Sequence, residues 1–190
     1  MRRRSFLKGA AAVIPVSVLR DLVAAEEHAR VDGAPSAGEV HVVAKGADRF
    51  GESRSLGFSS MAFKVGTAES GGGLFVIEHT GLRPGGPPLH MHPHQDEWFY
   101  VMEGAVAFAV GEQRVQLGAG ESVLAPRAVP HTFSSVAESS RLLIGFSPAG
   151  KMEQYFRDAQ EHKELAATPE FIRRYDMEWI GPSPFWKVRS

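Results

Sequence analysis

The sequence predicts an all-β protein, a sandwich or barrel of short strands followed by a short helical C-terminal extension. Three observations carry this. Apolar residues alternate with polar ones over runs of four to eight residues from about Val40 onward. Glycine or proline punctuates those runs at close, regular spacing. After Gly150 the apolar period changes from that of a strand to that of a helix.

In order, the predicted strands are VHVVA (40–44), FSSMAFKV (58–65) and LFVIEHT (74–80), then WFYVME (98–103), VAFAV (106–110) and RVQL (114–117), then SVLA (122–125), HTFSSV (131–136) and RLLIGF (141–146). Met61, Phe63 and Val65 share one face, as do Glu97, Phe99 and Val101, because successive side chains of a strand point to opposite sides. Trp98 and Tyr100 therefore point outward, under the tail or at a subunit contact. Gly104, Gly111-Glu112, Gly118-Ala119-Gly120 and Pro126-Arg127-Ala128 are the turns. Met152, Tyr155, Phe156 and Ala159 form the apolar stripe of a helix in KMEQYFRDAQEHKEL. Thr168 caps a second short helix with Pro169 at its first position. The apolar, proline-containing tail MEWIGPSPFWKV then packs back on the barrel. There is no internal repeat, and residues 39–148 read as one barrel with 149–190 as its helical tail.

The first residues read differently. MRRRSFLKGAAAVIPVSVL has an arginine cluster and then an apolar run from Gly9 to Leu19, too short for a permanent membrane span. Arg3-Arg4-Ser5-Phe6-Leu7-Lys8 resembles the twin-arginine export signal. Residues 1–25 are therefore expected to be a signal peptide and 26–38 a polar linker, with the mature protein in the periplasm or outside the cell. The full chain has 21 basic and 22 acidic residues, a net charge of −1. Residues 1–25 hold five bases and one acid, so the remainder carries 16 and 21, a net of −5. That balance offers nothing to nucleic acid or to anionic lipid. With no cysteine, disulfides, thiolate-bound zinc and thiol catalysis are excluded.

The candidate chemistry lies in GGPPLHMHPHQDEWFYVMEG (85–104), where His90, His92 and His94 alternate. His90 and His92 aim two imidazoles to one side of a strand. Glu97 opens the next strand above an apolar face, and His131 opens a later one just after a turn. Three imidazoles and a carboxylate suit a divalent first-row ion: Fe, Mn, Ni, Cu or Zn. Pro93 cannot donate to a ladder and tends to end a strand, which sets His94 at the rim. His79 ends an apolar strand and is read first as a surface or structural residue, and second as lining the cavity. His41 is expected to be structural, and His28 and His162 to face solvent. Phe63, Phe75, Phe99 and Phe133 are read first as core and second as cavity wall.

These residues resemble the cupins. The first cupin motif, G-x5-H-x-H-x3–4-E-x6-G, is met by His90, His92, Glu97 and Gly104, although Pro84 stands at its opening glycine. The second, G-x5-P-x-G-x2-H-x3-N, is met by Gly120, Pro126 and His131, with Ala128 for the glycine and Ser135 for the asparagine. The resemblance is strong over residues 72–147. It implies a cupin jelly-roll barrel whose metal is held by His90, His92, Glu97 and His131. The spacing from His92/His94 to Glu97 falls outside the motif, which again sets His94 aside. The tail and its Ile180-Gly181-Pro182 ending are similar to bacterial cupins related to quercetin dioxygenase. That similarity implies a metal-dependent dioxygenase acting with O2 on a small aromatic or enolisable molecule, with Glu97 as ligand, catalytic base or both. A metal-dependent isomerase and a binding or sensor cupin without turnover are the alternatives. Lys64 and Arg127 are the basic residues nearest the site, too few for a sugar-phosphate substrate. A homodimer through sheet edges is implied by the resemblance alone.

Overall fold

The computed structural model describes residues 40–186, so the expected signal peptide and the whole of the expected linker lie outside the described residues. Eleven strands are present among them: β1 (Arg54–Ser55), β2 (Ser60–Val65), β3 (Phe75–Leu82), β4 (Leu89–Met91), β5 (Asp96–Glu103), β6 (Ala105–Val110), β7 (Gln113–Gly118), β8 (Ser122–Ala125), β9 (His131–Ser135), β10 (Ser140–Ser147) and β11 (Glu178–Gly181). Two helices, α1 (Met152–Glu161) and α2 (Pro169–Arg173), stand between β10 and β11. The strands form a six-stranded sheet in the order β1-β2-β3-β10-β5-β8 and a five-stranded sheet in the order β11-β4-β9-β6-β7. Every pairing is antiparallel, with one face of each sheet turned to a shared apolar interior.

Register places the inward side chains of the large sheet in rows. Phe75, Phe146, Glu97 and Ala125 lie side by side across β3, β10, β5 and β8. Phe63, Ile77, Ile144 and Phe99 form the next row, and Met61, His79, Leu142 and Val101 the one beyond. In the small sheet Phe133, Phe108 and Val115 are neighbours, as are His90, His131 and Val110. Phe63 and Phe75 meet edge-on at 4.9 Å and Phe99 and Phe108 tilted at 5.1 Å between centroids, while Phe75 and Phe146 stack at 5.9 Å. Such contacts add to the stabilisation from burial itself.

Strict alternation fails on β9, where all five residues are buried. Its outer side is covered rather than solvated. Thr132 Oγ1 donates to the Pro87 carbonyl at 2.7 Å, and the Gly85 amide donates to Ser134 Oγ at 3.0 Å. The 85–88 segment thus lies across the strand that begins at His131.

One predicted strand is absent. Residues 40–44 form no ladder, and Val40 and Val42 are 87% and 89% exposed. The β-branched residues favour an extended chain, but a strand needs a partner edge, and Arg54–Ser55 occupies the one beside β2. The first helix is also shorter than its periodic stretch, ending at Glu161. Met152, Phe156 and Ala159 are buried as the stripe predicts. Thr168 caps α2 by accepting from the Phe171 amide, with Pro169 in its first turn. The tail returns as β11, which pairs with β4 in a register that sets Trp179 opposite His90.

Candidate metal centre

Each member of the cluster is placed by a different piece of backbone. His90 sits mid-strand on β4, and His92 follows just past its end. Glu97 is the second residue of β5, and His131 opens β9 directly opposite His90. One ligand atom from each of His90, His92, Glu97 and His131 falls within 4.8 Å of the others, and all four residues are buried. Ring centroids are 4.7 Å apart for His90 and His131, 5.1 Å for His90 and His92, and 5.5 Å for His92 and His131.

The outer nitrogens explain how the rings are aimed. His90 Nδ1 lies 2.9 Å from the Pro88 carbonyl, and His131 Nδ1 lies 2.9 Å from that of Val129. A carbonyl accepts from an N–H, so each Nδ1 carries a proton and each Nε2 is turned toward the centre. Backbone carbonyls set metal-binding imidazoles in this way. Both nitrogens of His92 are buried without a hydrogen-bond partner. Its Nε2 is 3.1 Å from Glu97 Oε2, near enough for charge attraction but not aligned as a hydrogen bond. Glu97 Oε2 is 2.7 Å from His131 Nε2.

Electrostatics follow from burial and from these contacts. Burial, with His131 and His92 as like neighbours, pushes His90 down to about 3, so its imidazole is neutral. Burial opposes the charge on Glu97, but His131 and His92 outweigh it and hold the carboxyl below its ordinary range. Burial likewise opposes a charge on His131, and the Glu97 contact overcomes it in the upward direction. A buried orphan imidazole, two more whose Nε2 atoms face the same point and one anionic carboxylate fit a first-row divalent cation, which would displace the Nε2 proton that His131 gives to Glu97.

The other expectations resolve as follows. His94 is exposed in the turn after His92 and belongs to an outer cleft with Pro93 and Arg173. His41 is tied to Arg49 at 2.7 Å, with Glu69 beside it, a structural setting. His162 is exposed, and His28 lies outside the described residues. Phe133 lines the cavity beside the cluster, whereas Phe63, Phe75 and Phe99 are core. Lys64 turns to Glu78 at 3.0 Å and Arg127 to Asp96 at 2.7 Å, so neither serves the interior. Trp98 faces outward and stacks with Tyr100 at 5.9 Å.

The cavity itself has a volume of about 170 Å³ and reaches from His90, His92 and Glu97 to Phe58 and His79. Its roof was not visible in the sequence. Met152, Tyr155 and Phe156 of α1, Ile172 of α2 and Met177 close it, with Lys163 at the exposed loop between the helices. The helical stripe was legible, but nothing local says which surface it covers.

The departures from the motif are accommodated in the turn beside the site. Ala128 takes a left-handed φ of 61° where the motif has glycine, and its amide donates to the His92 carbonyl at 2.8 Å. Such a conformation costs a residue with a Cβ about 1–2 kcal/mol. Ala128→Gly is expected to stabilise the protein by about 0.5 kcal/mol, because greater freedom of the unfolded chain offsets part of the relief. Urea unfolding of the metal-free protein checks it, and a less stable variant would count against the strain. Ser135, in place of asparagine, bonds Ser140 Oγ at 2.8 Å and the Ala137 carbonyl at 2.9 Å.

A two-sheet barrel with a buried three-histidine, one-glutamate cluster defines a class of protein built around an interior metal-type site. Residues 79–144 match the Cupin domain family. An RmlC-like cupin from Shewanella frigidimarina has the same fold, with a TM-score of 0.50 at 19% identity over 61% of this chain and 96% of that one. The matched segment carries all four residues of the cluster, and the likeness to the solved structure is one of fold. The chain is 40% identical over 57 residues to the uncharacterized protein SCO3923 of Streptomyces coelicolor, covering 30% of this chain and 54% of that one. It is 30% identical over 113 residues to the oxidoreductase iacF of Pestalotiopsis fici, covering 57% of this chain and 54% of that one. The matches thus span about half the length of these curated relatives. No helix among the described residues is long and apolar enough to cross a membrane.

Proposed function

We propose that the protein is a metal-dependent oxidoreductase of the dioxygenase type, acting on a small aromatic or enolisable molecule. The observation that carries this is the meeting of the four-residue cluster with a largely apolar cavity of ring size. The similarity to a relative named as an oxidoreductase supports the same reading. A first-row ion held by His90, His92, Glu97 and His131 would supply Lewis acidity toward a substrate oxygen, and a redox-active one such as iron, manganese, nickel or copper would add one-electron chemistry with O2.

The chain's own residues do the rest. Phe58, Phe133, Ile144 and Phe146 give a planar ring an apolar bed and keep bulk water out. Glu97 stays a carboxylate, since its neighbours hold its pKa low. Its Oε1 accepts no hydrogen bond from the described residues, so it is free to meet a substrate hydroxyl and take its proton. Among the described residues the cavity is lined by one lysine, Lys163, and no arginine, which disfavours a sugar phosphate.

O2 consumption tests the reading. Protein brought to full occupancy with iron, manganese, nickel or copper in turn is given a panel of flavonols, catechols and enolisable diketones. At least one pairing is expected to draw down O2 in proportion to substrate. No uptake by fully loaded protein would leave a binding or sensor function in its place.

We also propose export through the twin-arginine route to the periplasm or beyond, from the Arg3-Arg4-Ser5-Phe6-Leu7-Lys8 stretch. Changing Arg3 and Arg4 together to lysine is expected to hold the protein in the cytoplasm, as cell fractionation would show. Unchanged export would point to another route.

A further inference from the structure

His79 is a second buried histidine environment in the same cavity, outside the metal cluster. It projects inward from β3, 1% exposed, in a row whose other members are Met61, Leu142 and Val101. A residue serving packing alone would be apolar there, like its neighbours. Instead its Nδ1 lies 2.6 Å from Ser59 Oγ, and Ser59 is buried too. Its Nε2 bonds nothing among the described residues, and the ring lines the cavity. Phe58 lies nearly parallel to it at 6.1 Å and Phe133 edge-on at 6.1 Å, which fixes the ring plane.

The position also has a reach. Glu97 and His79 lie two rows and two strands apart on the same sheet face. Four residues along a strand cover roughly 13 Å of backbone. Ile144 of β10, in the row between, and Phe146, in the row of Glu97, line the cavity. The remaining uncharged polar side chain of the wall, Tyr155, already donates its hydroxyl to the Ala166 carbonyl at 3.0 Å.

We propose that His79, oriented by Ser59, is a substrate-positioning residue that hydrogen-bonds a hydroxyl or carbonyl group of an aromatic ligand, away from the metal cluster. The inference rests on the cavity being the substrate site. Burial pushes His79 down to about 4, so the ring is uncharged at neutral pH and suits a neutral oxygen better than a carboxylate. When Ser59 donates to Nδ1, Nε2 carries the proton and donates; in the other tautomer it accepts. A phenolic hydroxyl satisfies either arrangement.

The test compares phenol with toluene, two rings of nearly equal size, on zinc-loaded protein with 15N-labelled histidine. Wild type is expected to prefer phenol, and the His79 Nε2 resonance to move with phenol and not with toluene. His79→Leu is expected to bind phenol about tenfold more weakly, the effect of one lost hydrogen bond, and toluene as before. Unchanged toluene binding also shows that the cavity has survived. His79→Gln sets an amide atom near the Nε2 position and is expected to restore most of the preference. Ser59→Ala is expected to lose part of it. A phenol preference that survives in His79→Leu, or an equal loss of both ligands there with no rescue in His79→Gln, would overturn the proposal. Zinc content measured in each sample separates the two readings. A His79-dependent preference in protein that takes up no zinc would sink the metal reading and leave the anchor standing. A preference independent of His79 in zinc-loaded protein would do the reverse.

Discussion

Replacing His92 by alanine is expected to strip the metal from the barrel, lowering affinity by at least about 100-fold. His92 brings both ring nitrogens into the interior with no hydrogen-bond partner among the described residues. Its loss leaves Glu97 with one close imidazole instead of two. His90→Ala and His131→Ala are expected to act alike, since each removes an Nε2 that a backbone carbonyl has aimed at the same point. His94→Ala is the control, for that side chain stands outside in the turn. Metal content after dialysis against a graded chelator measures all four. Equal loss from His94→Ala would mean that the ligand strand is shifted by one pair of residues.

A single methyl group at position 86 is expected to damage the protein more than any other substitution of its size considered above. Gly86 has φ of +90°, and a Cβ there would fall 1.9 Å from the Phe133 carbonyl oxygen. That oxygen is part of the β9 backbone and cannot rotate away as a side chain would. The 85–88 segment would have to lift off β9, breaking the Thr132 contact to Pro87 and displacing the Pro88 carbonyl that orients His90. Strain and lost bonds together amount to about 3 kcal/mol or more. Gly86→Ala should therefore unfold at markedly lower urea in the metal-free state and bind metal more weakly. Wild-type stability in this variant would show that the segment is free to shift.

Those two results draw on different depths of reading. The cluster was legible because strand parity pairs His90 with His92, and because the spacing to Glu97 and the turn before His131 are local facts. Phe99 and Val101 likewise declared their face by alternation, and their register confirms it. Gly86 was visible only as one of several glycines near the motif's opening, which falls on Pro84. Its necessity arises from the approach of β9, some fifty residues away in the chain. The error at residues 40–44 has the same origin: two valines express a preference for extension, while pairing depends on which segment reaches the edge of β2. The roof over the cavity was hidden for that reason too. Ser59 and His79 show the limit most clearly, since neither stands near the other in sequence and their contact exists only once β3 is laid against the segment that enters β2.

The pairing of β4 with β11 has a bearing on the order of events in the cell. β4 has three residues and a single bridge to β9, so much of its backbone ladder is supplied by Glu178–Gly181. During synthesis His90, His92, Glu97 and His131 all leave the ribosome before that strand exists. A nascent chain therefore carries every donor atom but holds His90 on a strand with one neighbour. The finished centre waits for that later strand, and a ribosome-bound intermediate stalled before residue 178 should capture metal poorly although its donors are complete.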